Sequence, residues 1–126
     1  MSESIASDER LYRNLHPEEY DNGRIDSSAF NPSKAHKFRL SVDRSSMVSA
    51  QTSYEVYVGR GKLSAGVCSV LCEDFSLEAI PCTPAPEEDN PAHALADYGG
   101  HGTNQRKKKA RLIARKAMEN GLDHEP

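Results

Sequence analysis

The chain has 126 residues, a formal net charge of -3, and apolar and charged fractions of 37% and 28%, those of an ordinary soluble protein. That is enough for one domain with a real core and too little for two. No run approaches the ~20 apolar residues of a membrane span, no secretory n-region opens the chain, and the three cysteines (Cys68, Cys72, Cys82) cannot all pair. The composition therefore predicts a cytoplasmic, reduced protein without membrane contact.

Residues 1–9 are polar and acidic, which predicts a disordered N-terminal tail. The segment from Arg10 to Pro17 carries enough apolar side chains to dock as a strand or an irregular lead-in. Pro17-Glu18-Glu19-Tyr20 reads as a first helical turn, stopped at once by Asn22-Gly23. Two strand-like runs come next, Ile25–Phe30 and Lys37–Asp43, separated by Asn31-Pro32 and a short loop from Ser33 to His36. The second run alternates Phe38, Leu40 and Val42 with Lys37, Arg39 and Ser41, the pattern of a sheet with one dry face. A hairpin is the simplest arrangement, with Ser27, Ser28, Ser41, Asp43 and Arg44 near its open end.

Met47, Ala50, Tyr54 and Val58 recur at spacings of about 3.6 residues and predict a short helix over 48–58, with Gly59 as its stop. Gly59-Arg60-Gly61-Lys62 reads as a flexible connector. The uncharged run from Ala65 to Cys72 predicts a strand buried on both faces at the centre of the sheet. Residues 81–91, with four prolines and three acids, predict an exposed extended loop. A third alternating run puts Ala92, Ala94, Ala96 and Tyr98 on one face and His93, Leu95 and Asp97 on the other. After Gly99-Gly100-His101-Gly102, a helix runs from Thr103 or Asn104 to Gly121, with an apolar stripe of Ala110, Ile113, Ala114, Ala117 and Met118. The order predicts an α+β domain over 10–121, with residues 122–126 as a second disordered tail. Its small, mainly antiparallel sheet is covered on one face by the middle helix and the basic C-terminal helix.

Charge is segregated along the chain: no Lys or Arg lies between Lys62 and Arg106, whereas Arg106 to Lys116 holds seven basic residues and no acidic one. Arg106, Lys107, Lys108, Lys109 and Arg111 are thus candidate contacts to a polyanion or an acidic protein partner. A pI near 5.9 and the lack of interleaved aromatics favour the protein partner over nucleic acid. On one extended strand Cys68 and Cys72 would stand roughly 13 Å apart, too far for one tetrahedral ion. They are expected to be small buried hydrophobes, and no metal is expected. The glycine-rich 99–102 link lacks the endings of a phosphate-binding loop. The sharper candidates for a ligand site are Ser28, Ser41, Asp43, Arg44 and His93, which would share one concave surface where the imidazole could act as acid, base or hydrogen-bond donor.

The segments G-R-I-D-S-S-A-F-N-P, L-S-V-D-R, A-G-V-C-S-V and P-A-H-A-L-A-D-Y, with the lysine-rich last helix, resemble a family of small uncharacterised bacterial proteins over about residues 23–121. That resemblance implies a bacterial origin and a single domain. A fainter likeness is to ADP-ribosyltransferase-like domains, in which an early strand carries an Arg in a Tyr-Arg context, as in Leu11-Tyr12-Arg13, and a serine-rich strand follows, as in Ser27-Ser28-Ala29-Phe30. It implies a ligand site with Arg13, Ser28, Ser41 and His93 around NAD or a nucleotide. The late-strand glutamate of such enzymes is replaced here by His93 and Asp97. Two readings stand: a binding or accessory protein of a bacterial toxin-antitoxin or defence operon, with no cofactor, or a transferase using NAD or a nucleotide.

Overall fold

In the computed structural model, which describes residues 4–126, Leu11 and Leu15 alternate with Tyr12 and Asn14 along a strand, β1 (Arg10–Leu15), and both leucines are fully buried. The lead-in is thus an inner strand of the sheet. Tyr20–Asp21 (β2) and Arg24–Ile25 (β3) form a separate two-stranded ribbon, closed by Asn22 and Gly23 at φ 48° and 88°. Two consecutive positive φ angles are what an Asn-Gly hairpin turn requires.

The strand expected over Ile25–Phe30 is absent beyond Ile25. Ser27–Phe30 is a 3-10 turn, because the Asp26 carboxylate accepts the Ser28 N–H at 2.9 Å and so offers the backbone an alternative to a sheet ladder. Ala29 and Phe30 turn inward and are buried. The expected hairpin is therefore not formed, and the next strand, β4 (Arg39–Arg44), takes other partners.

The remaining elements are α1 (Ala50–Gly59), β5 (Gly66–Leu71), α2 (Cys72–Ser76), β6 (Cys82–Pro84), β7 (His93–Asp97), α3 (Thr103–Asn120) and β8 (Leu122–His124). The six long-range strands make one antiparallel sheet in the order β6-β7-β4-β1-β5-β8. This is the expected α+β class with its C-terminal helix. The centre of the sheet is the pair β4 and β1 rather than the apolar run of β5, which lies second from an edge. Within the expected loop over 81–91, β6 pairs with β7, prolines being tolerated on an edge strand. Cys72 opens α2 instead of ending β5, because the Asp74 carboxylate accepts the Leu71 N–H at 2.9 Å.

Neither expected tail hangs free over the described residues. Residues 122–124 pair with β5, and Gly66, at φ 150°, sits where a Cβ would come within 3.0 Å of the His124 carbonyl oxygen, so only glycine lets β8 approach. At the other end Ile5 packs on the core, Ser7 accepts a hydrogen bond from the Glu73 N–H, and Glu9 pairs with Arg44. Residues 1–3 of the predicted tail lie outside the described part of the chain.

Strand alternation divides the sheet into two unlike faces. One carries Leu11, Leu15, Leu40, Val42, Cys68, Val70, Ala94 and Ala96, packed with Phe30, Phe75, Tyr98 and the stripe Ala110, Ile113, Ala114 and Ala117 of α3. Each of the larger side chains gains about 1.5–3 kcal/mol from that burial. The other face carries Tyr12, Asn14, Ser41, Asp43, Ser69 and His93. The helices are shared between the faces, since α1 lies over β1, β5 and β8 on the polar side. It leaves the β4–β7 half of that side uncovered.

A polar cleft on the open half of the sheet

The uncovered half of the polar face is a cleft of about 320 Å³, walled by the end of α1, the 59–62 segment and the 85–91 loop. On its floor His93 of β7 stands opposite Asp43 of β4 in the register, one step diagonally from Ser41. Its Nδ1 lies 2.8 Å from the Ala85 carbonyl oxygen and its Nε2 lies 3.0 Å from Ser41 Oγ. A carbonyl oxygen only accepts, so Nδ1 carries a proton, and in the neutral imidazole Nε2 is then the acceptor for the Ser41 hydroxyl. The His93 side chain is 12% exposed, whereas Ser41 is open to solvent.

Asp43 does not bond to His93. Its Oδ2 accepts from Ser53 Oγ of α1 at 2.6 Å, and its Oδ1 accepts from Asn90 Nδ2 at 2.8 Å. Asn14 extends the chain of bonds, donating to Ser53 and accepting from Ser64 Oγ at 2.9 Å. Asn14, Ser53 and Asn90 are all buried, so this network fastens α1 and the 85–91 loop to the sheet. It does so where α1 has little apolar surface to contribute: its buried residues are Ala50 and Ser53.

Arg60, in the segment read from sequence as a flexible connector, closes one wall. Its guanidinium donates to Asp89 Oδ2 at 2.9 Å and Oδ1 at 2.7 Å, and to Glu87 Oε1 at 3.1 Å. Hydrogen bonds from Arg60 hold the Asp89 carboxyl below its ordinary value, and those same bonds raise Arg60 further. The rest of the lining is rich in cations. Arg39, Arg60 and Lys62 stand against two carboxylates, Asp43 and Glu87, both already engaged, and His36 adds a further nitrogen base, whereas Arg13, in register with Cys68, reaches the lining from the apolar face. Lys62 Nζ lies 5.4 Å from the centre of the Tyr57 ring.

Of the residues singled out from sequence, Arg13, Ser41, Asp43 and His93 meet at this cleft. Ser28 and Arg44 do not. Ser28 sits exposed on the 3-10 turn, away from the cleft lining. Arg44 follows Asp43 directly and so points to the opposite face, where it donates to Glu9 at 3.1 and 3.2 Å. Both of those side chains are only 7% exposed. Arg13 donates from Nε to the Ala29 carbonyl at 2.9 Å and from Nη1 to the Ser41 carbonyl at 3.1 Å. It ties the 27–30 turn to β4 where β1 and β4 have ceased to pair, so much of its donor capacity serves the fold. Arg39 was missed, although strand alternation alone puts it on the face of Ser41 and Asp43; Arg60 and Asn90, in loops, gave no periodic signal.

The basic helix is less free than its composition implies. The Arg106 guanidinium stacks 3.8 Å from the Phe38 ring centre and donates to His101 O and Thr103 Oγ1, and Lys109 pairs with Glu78 at 3.7 Å. Lys107, Lys108 and Arg111 face solvent. His101 of the glycine-rich link bonds the Ala79 carbonyl, a structural role. Burial pushes the Cys68 thiol up to about 12, and burial, with Cys72 beside it, raises Cys82. Among the described residues no three His, Cys, Asp or Glu side chains are placed to hold a metal ion, and no helix is long and apolar enough to cross a membrane. Comparison with family models, curated proteins and solved structures gave no match.

Proposed function

We propose that the protein is a binding or accessory protein whose polar cleft takes a small anionic ligand, a nucleotide or another molecule bearing phosphate or carboxylate. The supporting observation is the set of exposed cations around a floor of hydrogen-bonding groups: Arg39 and Lys62 are exposed and line the same cleft as the Ser41–His93 pair. Convergent donors in a concave polar site select anions. A volume of about 320 Å³ suits a mononucleotide-sized group rather than a polymer. The exposed cations of α3, Lys107, Lys108 and Arg111, lie outside this cleft and supply a second, acidic protein partner's surface. A bacterial origin, and a place in a toxin-antitoxin or defence operon, rest on the sequence resemblance alone, and a cytoplasmic location rests on the composition.

A thermal-shift series with NAD, mononucleotides and pyrophosphate tests the reading. A ligand at a hundred times its dissociation constant stabilises by about 2.7 kcal/mol, which for a domain of this size raises the melting temperature by roughly 8 °C. Arg39→Ala is expected to remove most of that shift. A flat response to every anion would contradict the proposal. The second reading, a transferase using NAD, has the position of Arg13 at the cleft in its favour; among the four residues assigned to it, Ser28 lies elsewhere.

A further inference from the structure

We infer that Ser41 is a nucleophile and His93 its general base, and that the cleft hydrolyses a small ester whose acyl part carries a carboxylate or phosphate. This rests on the anion-binding reading of the same cleft and adds a reaction to it. A serine hydroxyl becomes nucleophilic when a neutral imidazole nitrogen accepts its proton and a third group fixes the other ring nitrogen as N–H. All three parts are present: Ser41 Oγ at 3.0 Å from Nε2, the imidazole held on β7 in register with β4, and the Ala85 carbonyl at 2.8 Å from Nδ1. The Glu87 carboxylate, 4.0 Å from Nδ1, is placed to stabilise the imidazolium that forms. A purely structural pair would have no need of a solvent-open serine, and here the hydroxyl faces the cleft. Arg39, two residues earlier on the same face of β4, brings an exposed guanidinium to the anionic group of the substrate or to the developing oxyanion.

In the first half-reaction Ser41 Oγ bonds to the acyl carbon while its proton passes to His93 Nε2. The bond from that carbon to the leaving alkoxide breaks, and the alkoxide takes the proton from Nε2. In the second, water attacks the acyl-serine carbon, again losing its proton to Nε2, and Ser41 leaves with that proton as the restored hydroxyl. Water is the only co-reactant, and no group is oxidised or reduced.

The test is intact-mass spectrometry of the full chain after incubation with diisopropyl fluorophosphate, with the adduct mapped by peptide. One adduct on Ser41 is expected in the wild type, and none in Ser41→Ala. In His93→Gln, which keeps a donor for Ala85 but cannot take a proton, labelling is expected to slow by roughly a hundredfold or more. Circular dichroism melting of each variant establishes that it is folded. The nitrophenyl half-ester of succinate should be cleaved faster than the uncharged butyrate. Absence of Ser41 labelling in the wild type, or equal labelling in a folded His93→Gln, overturns the inference. Pyrophosphate binding to the wild-type protein is measured in parallel. Binding without labelling leaves the anion site standing and removes the chemistry, whereas labelling without binding does the reverse.

Discussion

Arg60 and Asp89 meet at 2.7 Å across the mouth of the cleft, joining the end of α1 to the 85–91 loop. The pair is surface-exposed, so Arg60→Ala is expected to change global stability by no more than about 1 kcal/mol. Its effect should be local. Amide hydrogen exchange over residues 85–91 should speed up, and added salt should do the same to the wild type. Unchanged exchange in this loop would show that Arg60 does not hold it.

The buried pair of Glu9 and Arg44 behaves differently. Burial works to raise the Glu9 carboxyl, but hydrogen bonds from Arg44 and Ser46 outweigh it and hold the group below its ordinary value. A carboxyl with a lower folded than unfolded value binds fewer protons when folded. Its stabilisation is present above the unfolded value and disappears as pH falls through the folded one. Denaturant melts on the acid side of neutrality should therefore show Glu9→Gln losing stability near pH 7 and having a shallower acid dependence than the wild type. Arg44→Met, which leaves the buried Glu9 carboxylate without its cation and with only Ser46 as donor, should cost about 3 kcal/mol at pH 7. A cost under about 0.5 kcal/mol would be that of an ordinary surface site.

Tyr98 is fully buried, edge-on to Phe75 with ring centres 6.4 Å apart, and its hydroxyl has no hydrogen-bond partner among the described residues. Burial pushes that phenol well above its ordinary value. Removing an unsatisfied hydroxyl relieves a desolvation cost of about 1–3 kcal/mol, so Tyr98→Phe should be neutral or more stable in a urea melt. A clear loss of stability would mean that the hydroxyl has a partner in solution.

Asp43 is the shared acceptor for Ser53 and Asn90, and Asp43→Ala would leave both donors unmatched. The expected cost is about 2 kcal/mol or more, together with loosened packing of α1. Asp43→Asn keeps one acceptor and should cost less. If the two variants melt alike, the network does not fasten the helix.

The parts of this fold written in side-chain period were legible in the sequence. Ala92, Ala94, Ala96 and Tyr98 face the core as alternation requires, and α3 runs from Thr103 to Asn120 with Gly121 as its cap. What misled was local capping and pairing order. Ser27–Phe30 has strand-like composition, but one carboxylate, Asp26, turns it into a 3-10 turn, and no period records such a bond. The apolar run of β5 reads as a sheet centre because both faces are buried, yet burial by two helices does not fix a strand's rank in the sheet. The cleft followed the same division. Ser41, Asp43 and His93 share a face by alternation, Arg44 was grouped with them only through a hairpin that does not form, and Arg60 is placed only by the fold.

The central claim is that the cleft, and not the basic helix, binds an anion, and backbone amide shifts on titration with pyrophosphate test it most directly. Perturbations should cluster at Arg39, Ser41, His93 and the 57–62 segment and saturate together, leaving Lys107 to Lys116 unmoved. Saturable shifts confined to Lys107–Lys116, or none anywhere, would contradict it.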